Sequence, residues 1–261
     1  MKKFIVFVFF ITYLFSFEDS KIENLMGKEK FTTYNSLLSK IFTKEKYSIY
    51  EILSKLKNNG LLELFFDKAK IIHTKFIFIG GENILNTKLL NNSLKILGYY
   101  YFYPSEIEKN GKKFILNIEF KSEHFIDPIS LIDEMNSRGC KVLDVYKEKG
   151  DFTYKVSCQT PNIKEANKLL DTNKRYIKAQ GVYWFETNNF SKINIKTRKI
   201  DYWHPSVWFY DDKLKLINNV KINKKIKYLT LNIPNDCKYI KIMDIYSGGN
   251  FKRGIIIKGL K

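Results

Sequence analysis

Histidine and cysteine are scarce in this chain, three of each in 261 residues, and the scarcity removes several kinds of chemistry at once. No pair drawn from His73, His124, His204, Cys140, Cys158 and Cys237 stands at the spacing of a structural zinc site. No histidine shares a recognisable frame with a nucleophile: there is no G-x-S-x-G elbow and no protease-like order of Cys, His and Asn. Gly80-Gly81 is not part of a phosphate loop, because no G-x-x-x-x-G-K-[ST] follows. Acidic residues are numerous enough that some pair must lie close in space, which says nothing about glycoside hydrolysis. The expectation is a chain that is not an enzyme, with no cofactor and no metal.

Arginine occurs four times and alanine three times, so the formal net charge of +18 is almost all lysine. The lysines are scattered among abundant Asn, Ile, Phe and Tyr, a composition that AT-rich coding produces without selection for a binding stripe. No zinc-finger spacing or RNP aromatic motif accompanies them, which excludes nucleic acid as an expected partner. An anionic envelope surface stays open.

Long hydrophobic runs are also missing, except one. Phe4 to Phe15 is apolar apart from Thr12 and follows Met1-Lys2-Lys3. It falls short of the roughly 20 residues of a spanning helix and has the plan of a signal peptide, residues 1–16, cleaved after Ser16. No cysteine follows to carry a lipid. The expectation is an exported, periplasmic chain with no stable transmembrane anchor after cleavage.

What the chain has is core material: 44% hydrophobic residues, with 17 Tyr and 21 Phe, too apolar for a disordered segment. Residues 17–47 read as a helical lead-in, with Leu37, Leu38 and Ile41 at helical spacing. Residues 48–160 read as three units of helix, glycine and two strands, broken at Gly60, Gly98 and Gly139. Ser48 and Glu51 form a capping-box pattern at the first helix, and Asp127-Pro128 opens the third. In the first unit the strands are 61–66 and 71–79. The expected fold is α+β, with repeated αββ units of the ferredoxin-like or ring-building-motif kind. Residues 161–175 read as a helical linker. Residues 176–261 carry short strands alone, separated by turns such as Asn218-Asn219, and read as an antiparallel β-sandwich.

Hairpin geometry adds detail. A two-residue Asn110-Gly111 turn places Tyr101, Tyr103, Leu116, Ile118 and Phe120 on one face, which should meet the helices, and leaves Tyr100 and Phe102 on the other as contact candidates. In the third hairpin, a three-residue loop at Glu148-Lys149-Gly150 sets Cys140 opposite Cys158 for a disulfide. A two-residue Lys149-Gly150 turn instead sets Leu143 and Val145 against Val156 and Tyr154 and moves Cys140 out of line. Cys237 is left over.

The densest aromatic segment runs from Tyr202 to Tyr210. On a strand, Val207 and Phe209 point one way and Trp208 and Tyr210 the other. Trp203, His204, Trp208 and Tyr210, with Trp184 in a neighbouring strand, are the candidates for ligand or interface contact. With Asp201, Asp211 and Asp212 nearby they suit sugar stacking, or protein contact as anchors, or simply burial. The leading expectation is a structural or adaptor part of a cell-envelope assembly whose partner is another envelope protein. The alternatives are a carbohydrate- or peptidoglycan-binding module and, behind it, an unrecognised hydrolase.

Overall fold

A computed structural model describes residues 19–44, 46–159 and 161–261. The expected export signal, residues 1–16, lies outside them. The chain forms two compact units, one extending to Asn162 and one from Ile163 to Lys261, and mixes helices with several antiparallel sheets.

The first unit begins with helices α1 (19–26), α2 (Lys28–Thr33), α3 (Asn35–Ile41) and α4 (Ile49–Asn58). The Ser48–Glu51 capping box forms in full, and α4 buries Ile52, Leu53 and Leu56. Strand β1 (Phe65–Ile79) follows, then α5 (Asn83–Ile96), β2 (Tyr103–Asn110), β3 (Lys113–His124), α6 (Pro128–Ser137), β4 (Cys140–Glu148) and β5 (Asp151–Cys158). The five strands lie in the order β2-β3-β1-β5-β4, antiparallel except where β1 meets β5. Phe76 and Phe78 of β1, Leu116 and Ile118 of β3, and Tyr154 and Val156 of β5 alternate onto one buried face, as a half-covered sheet requires.

The first expected unit is corrected: the helix leads into one fifteen-residue strand, not a hairpin. Asp67-Lys68-Ala69-Lys70 contains no Gly, Pro or Asn to reverse the chain, so the interruption becomes a register shift against β3 between Phe65 and Lys70. The second hairpin is displaced by one residue. Asn110 pairs with Lys113, so Gly111-Lys112 form the turn, and Tyr103 sits opposite Glu119 with Pro104 opposite Ile118. Moving the turn by one residue shifts the pairing by two and keeps the faces; the register shift between Pro104 and Glu106, which leaves Ser105 unpaired, is what exchanges them: Leu116, Ile118 and Phe120 are buried as expected, while Tyr101 is 93% exposed and Tyr103 lies largely in solvent.

The third hairpin combines the two expected registers. The turn is the two-residue one, with Glu148 opposite Asp151, and both Lys149 (φ 52°) and Gly150 (φ 92°) are left-handed, the conformation that matches strand twist. Val145 therefore meets Tyr154. The register then shifts between Val142 and Asp144, leaving Leu143 bulged and 44% exposed. Beyond the bulge Val142 meets Val156 and Cys140 meets Cys158, and the two cysteines form a disulfide.

The second unit contains two sheets. One runs β11 (Leu216–Lys221), β10 (Pro205–Tyr210), β13 (Tyr239–Asp244), β8 (Tyr183–Glu186) and β6 (Asn167–Lys168); the other runs β12 (Tyr228–Asn232), β9 (Lys192–Lys196), β14 (Ile255–Leu260) and β7 (Lys174–Tyr176). Phe185, Phe209 and Ile242 from the first and Ile195, Ile255 and Ile257 from the second share one buried cluster.

Two further expectations are corrected here. Residues 161–175 hold no helix in their described part but the strand β6 and the start of β7. The helical spacing of Ile163, Ala166 and Leu169 is outweighed by the open edge of β8, to which β6 pairs in parallel; the Leu169 N–H donates to the Glu186 carbonyl and its side chain is buried. Asn218-Asn219 is not a turn but the middle of edge strand β11. The reversal occurs earlier, where the Asp211 carboxylate accepts from the N–H groups of Lys213 and Lys215 and Leu214 adopts φ 61°.

Candidate functional site

The aromatic candidates separate sharply once β10 is folded. Trp203, just before the strand, is fully buried, donates its Nε1–H to the Met243 carbonyl at 2.9 Å and stacks on Phe251. It is closed off from solvent as a core residue, which corrects its place among the surface candidates. His204 is half-buried and packs edge-on against Tyr246. Its backbone N–H donates to Asp244 at 2.6 Å, and its Nδ1 lies 3.6 Å from the same carboxylate, buried and without a hydrogen bond.

Asp244 organises that end of the strand. Its fully buried carboxylate accepts from the backbone N–H groups of His204, Tyr246 and Ser247 and from the Asn250 amide. Burial opposes the charge, but the donors together outweigh it and hold the carboxyl below its ordinary range. Four donors on one carboxylate make this a structural anchor for the loop 245–250.

Trp184, Trp208 and Tyr210 do come together, on the outward face of the first sheet. Trp184 stacks on Tyr210 with ring centroids 5.5 Å apart, and Trp208 stacks on Tyr210 at 6.3 Å. Lys241 Nζ lies 5.6 Å from the Trp184 ring and Lys221 Nζ 5.4 Å from the Trp208 ring. Burial lowers the Lys241 pKa and raises that of Tyr210. Lys241 lies on β13 between the strands that carry Trp208 and Trp184, so the rings turn their faces to one another around a lysine.

In the first unit Tyr100 is 66% exposed, and Phe102 is half-buried. They lead with Tyr101 into β2, an edge strand whose every residue is exposed. The Tyr103 hydroxyl donates to Glu119 at 2.6 Å, and that bond raises its pKa. Glu106 and Glu108 share a face of β2 and Ile107 and Lys109 the other. Glu106 and Glu108 escaped the reading from sequence, although the alternation Glu-Ile-Glu-Lys was visible. The opposite edge of the sheet, β4, is closed: the Asn24 side-chain amide accepts the Lys147 N–H at 2.7 Å and donates to the Lys147 carbonyl at 3.0 Å.

A cavity of about 310 Å³ in the first unit is lined by Leu64, Phe65, Leu97 and Phe125 together with the Lys57–Asp127 ion pair and the hydrogen-bonded Tyr99 and His124. An open groove of about 1050 Å³ in the second unit lies among the loops bearing Asn188, Asp212 and Asp236. Cys237 borders it, half-buried, and burial pushes its thiol up to about 11, so it is protonated and unreactive at neutral pH. Among the described residues no group of three His, Cys, Asp or Glu side chains is placed to hold a metal ion, and no helix is long and apolar enough to cross a membrane. Comparison with known proteins finds no family model that matches the chain and no curated protein that matches it.

Proposed function

We propose that this chain is a non-catalytic, exported adaptor that works by protein contact in a cell-envelope assembly, most naturally in the periplasm. One observation carries the reading: the edge strand β2 is exposed along its whole length and preceded by Tyr100 and Tyr101, whereas the other edge of the same sheet is closed by Asn24. Exposed edges are ordinarily blunted because they recruit other strands; Pro104 and the register shift after it blunt the start of β2, and the regular stretch 106–110 stays open near exposed aromatics, which suits recruitment. The Cys140–Cys158 disulfide supports an oxidising compartment. In this reading the first unit is a pair of αββ modules of ferredoxin-like kind built around β1, and the second is a β-sandwich. Proximity labelling in the native compartment is expected to mark envelope proteins, with less labelling when Tyr100 and Tyr101 are both changed to Ser. Absence of envelope neighbours, together with an unchanged envelope on deletion, would remove the proposal.

The second reading, a glycan- or peptidoglycan-binding module, draws on the Trp184–Tyr210–Trp208 row. Glycan arrays and peptidoglycan pelleting with a Trp208→Ala control test it, and binding to no glycan leaves it without support.

A further inference from the structure

Building on the adaptor reading, we propose that the open edge of β2 accepts an extended, antiparallel strand bearing lysine or arginine at alternate positions, and that Glu106 and Glu108 bar a second copy of this chain from the same edge.

The hydrogen-bonding phase follows from the turn. Gly111-Lys112 is a two-residue connection closed by Asn110 opposite Lys113, and in such hairpins the closing pair exchanges both backbone bonds, with every second pair after it doing likewise. Asn110, Glu108 and Glu106 therefore spend their backbone groups on β3, while Lys109 and Ile107 turn theirs to solvent. An incoming strand must bond at Ile107 and Lys109, and its side chains then stand opposite Glu106 and Glu108.

That phase decides who can dock. The register shift between Pro104 and Glu106 breaks the ladder at Ser105, so for two copies to pair antiparallel along the regular part of β2, Ile107 of one must face Ile107 or Lys109 of the other. The first register places Glu106 against Glu108 twice, and the second Glu108 against Glu108. Like charges directly opposite destabilise a strand pair, and opposite charges stabilise it. The other edge is no alternative, since the Lys147 backbone of β4 is occupied by Asn24 and the Val145 N–H donates to the Asp144 carboxylate. A partner strand with cations two residues apart meets both glutamates instead. One Glu106 oxygen accepts from the Asn117 amide, which fixes the carboxylate on the outer face beside Glu119, itself 3.7 Å from His73. Lys112 and Lys113 at the turn repel a basic partner there, so the cations are set opposite the middle of β2.

The test uses the purified full chain and two fluorescein-labelled decapeptides, one alternating Thr and Lys, the other Thr and Glu, followed by fluorescence anisotropy. The Thr–Lys peptide is expected to bind, more weakly as salt rises, and the Thr–Glu peptide not to bind. Reversing both charges (Glu106→Lys with Glu108→Lys) should lower Thr–Lys affinity about tenfold or more and admit the Thr–Glu peptide. Ile107→Pro, which removes an N–H that bonds nothing within the sheet, should abolish both. Failure of both peptides to bind, equal binding of the two, or affinity unmoved by either change would overturn the proposal.

Sedimentation supplies the second arm. The wild-type chain should not associate through β2, whereas Glu108→Lys alone turns the Ile107–Ile107 register attractive and should produce a dimer that adding Ile107→Pro dissolves. A wild-type dimer dissolved by Ile107→Pro would overturn the exclusion of a second copy. The adaptor reading fails separately, through the absence of envelope neighbours in the cell; neighbours found while β2 variants bind peptides as wild type would mean an adaptor that uses another surface.

Discussion

Cys140 stands directly opposite Cys158 because Leu143, three residues away, is squeezed out of the β4–β5 ladder. The two-residue turn alone would have set Lys141 opposite Cys158; one bulged residue shifts β4 by one place and closes the disulfide.

Deleting Leu143 should therefore leave the bridge intact. Without it Val142 and Asp144 become neighbours that already face Val156 and Lys155, so the strand straightens while Cys140 keeps its partner. Peptide mapping under non-reducing conditions is expected to recover the Cys140–Cys158 pair from the deletion variant. Loss of the pair would show that the bulge does more than adjust register.

Replacing both bridged cysteines by serine should destabilise the first unit by about 3 kcal/mol, the loop-closure entropy of a loop of this length. Urea unfolding of the variant is compared with that of the wild type, with and without reductant. Reductant should shift the wild type alone.

Trp203→Ala and Trp208→Ala should differ severalfold in cost despite their closeness in sequence. Trp203 is fully buried and hydrogen-bonded, and its removal should cost about 3–5 kcal/mol; Trp208 is half-buried at the end of a ring stack and should cost about 1 kcal/mol. Denaturant midpoints at constant slope measure both. Equal losses would place Trp208 in the core as well.

Acid should weaken both units through carboxylates whose folded pKa lies below the unfolded one. Backbone and side-chain hydrogen bonds from Ser48 lower Glu51 from 4.5 to about 2, and donors around Asp244 lower that group too. A depressed carboxyl lends stability above its unfolded pKa and loses it as pH falls through the folded one, so the window for Glu51 runs from about 4.5 down to about 2. Glu51→Gln and Asp244→Asn are each expected to flatten the stability profile on the acid side, measured by urea unfolding at a series of pH values.

Lys227 fastens the loop before Trp203: its ammonium donates to the carbonyls of Arg198, Lys199 and Asp201. Lys227→Met should leave those oxygens without their shared donor and speed trypsin cleavage after Arg198 and Lys199, with little change elsewhere. Unaltered cleavage there would mean that the buried Asp201, paired with Arg253 at 3.3 Å, holds the loop unaided.

Much of the architecture was legible because it depends on neighbours in the chain. The Ser48–Glu51 cap, the left-handed glycines at helix ends and the change to short strands in the second unit are local patterns, and each appears where the residues put it. Two departures share one cause. Residues 161–175 have helical spacing yet enter the strands β6 and β7, and Asn218-Asn219 has turn chemistry yet lies within β11, because an open sheet edge offers the backbone more than the local preference does. The candidate site follows the same rule. Alternation along β10 paired Trp208 with Tyr210, but only the meeting of β10 with β8, β13 and β11 added Trp184 and the lysines.

The near-absence of histidine and cysteine, and the spread of lysine with no binding motif, are properties of composition and independent of any contact. Which cysteines meet, which tryptophan is core, and which sheet edge stays open were decided by the tertiary structure. Each depends on register between segments distant in sequence, and a shift of one residue reverses the face that every side chain presents.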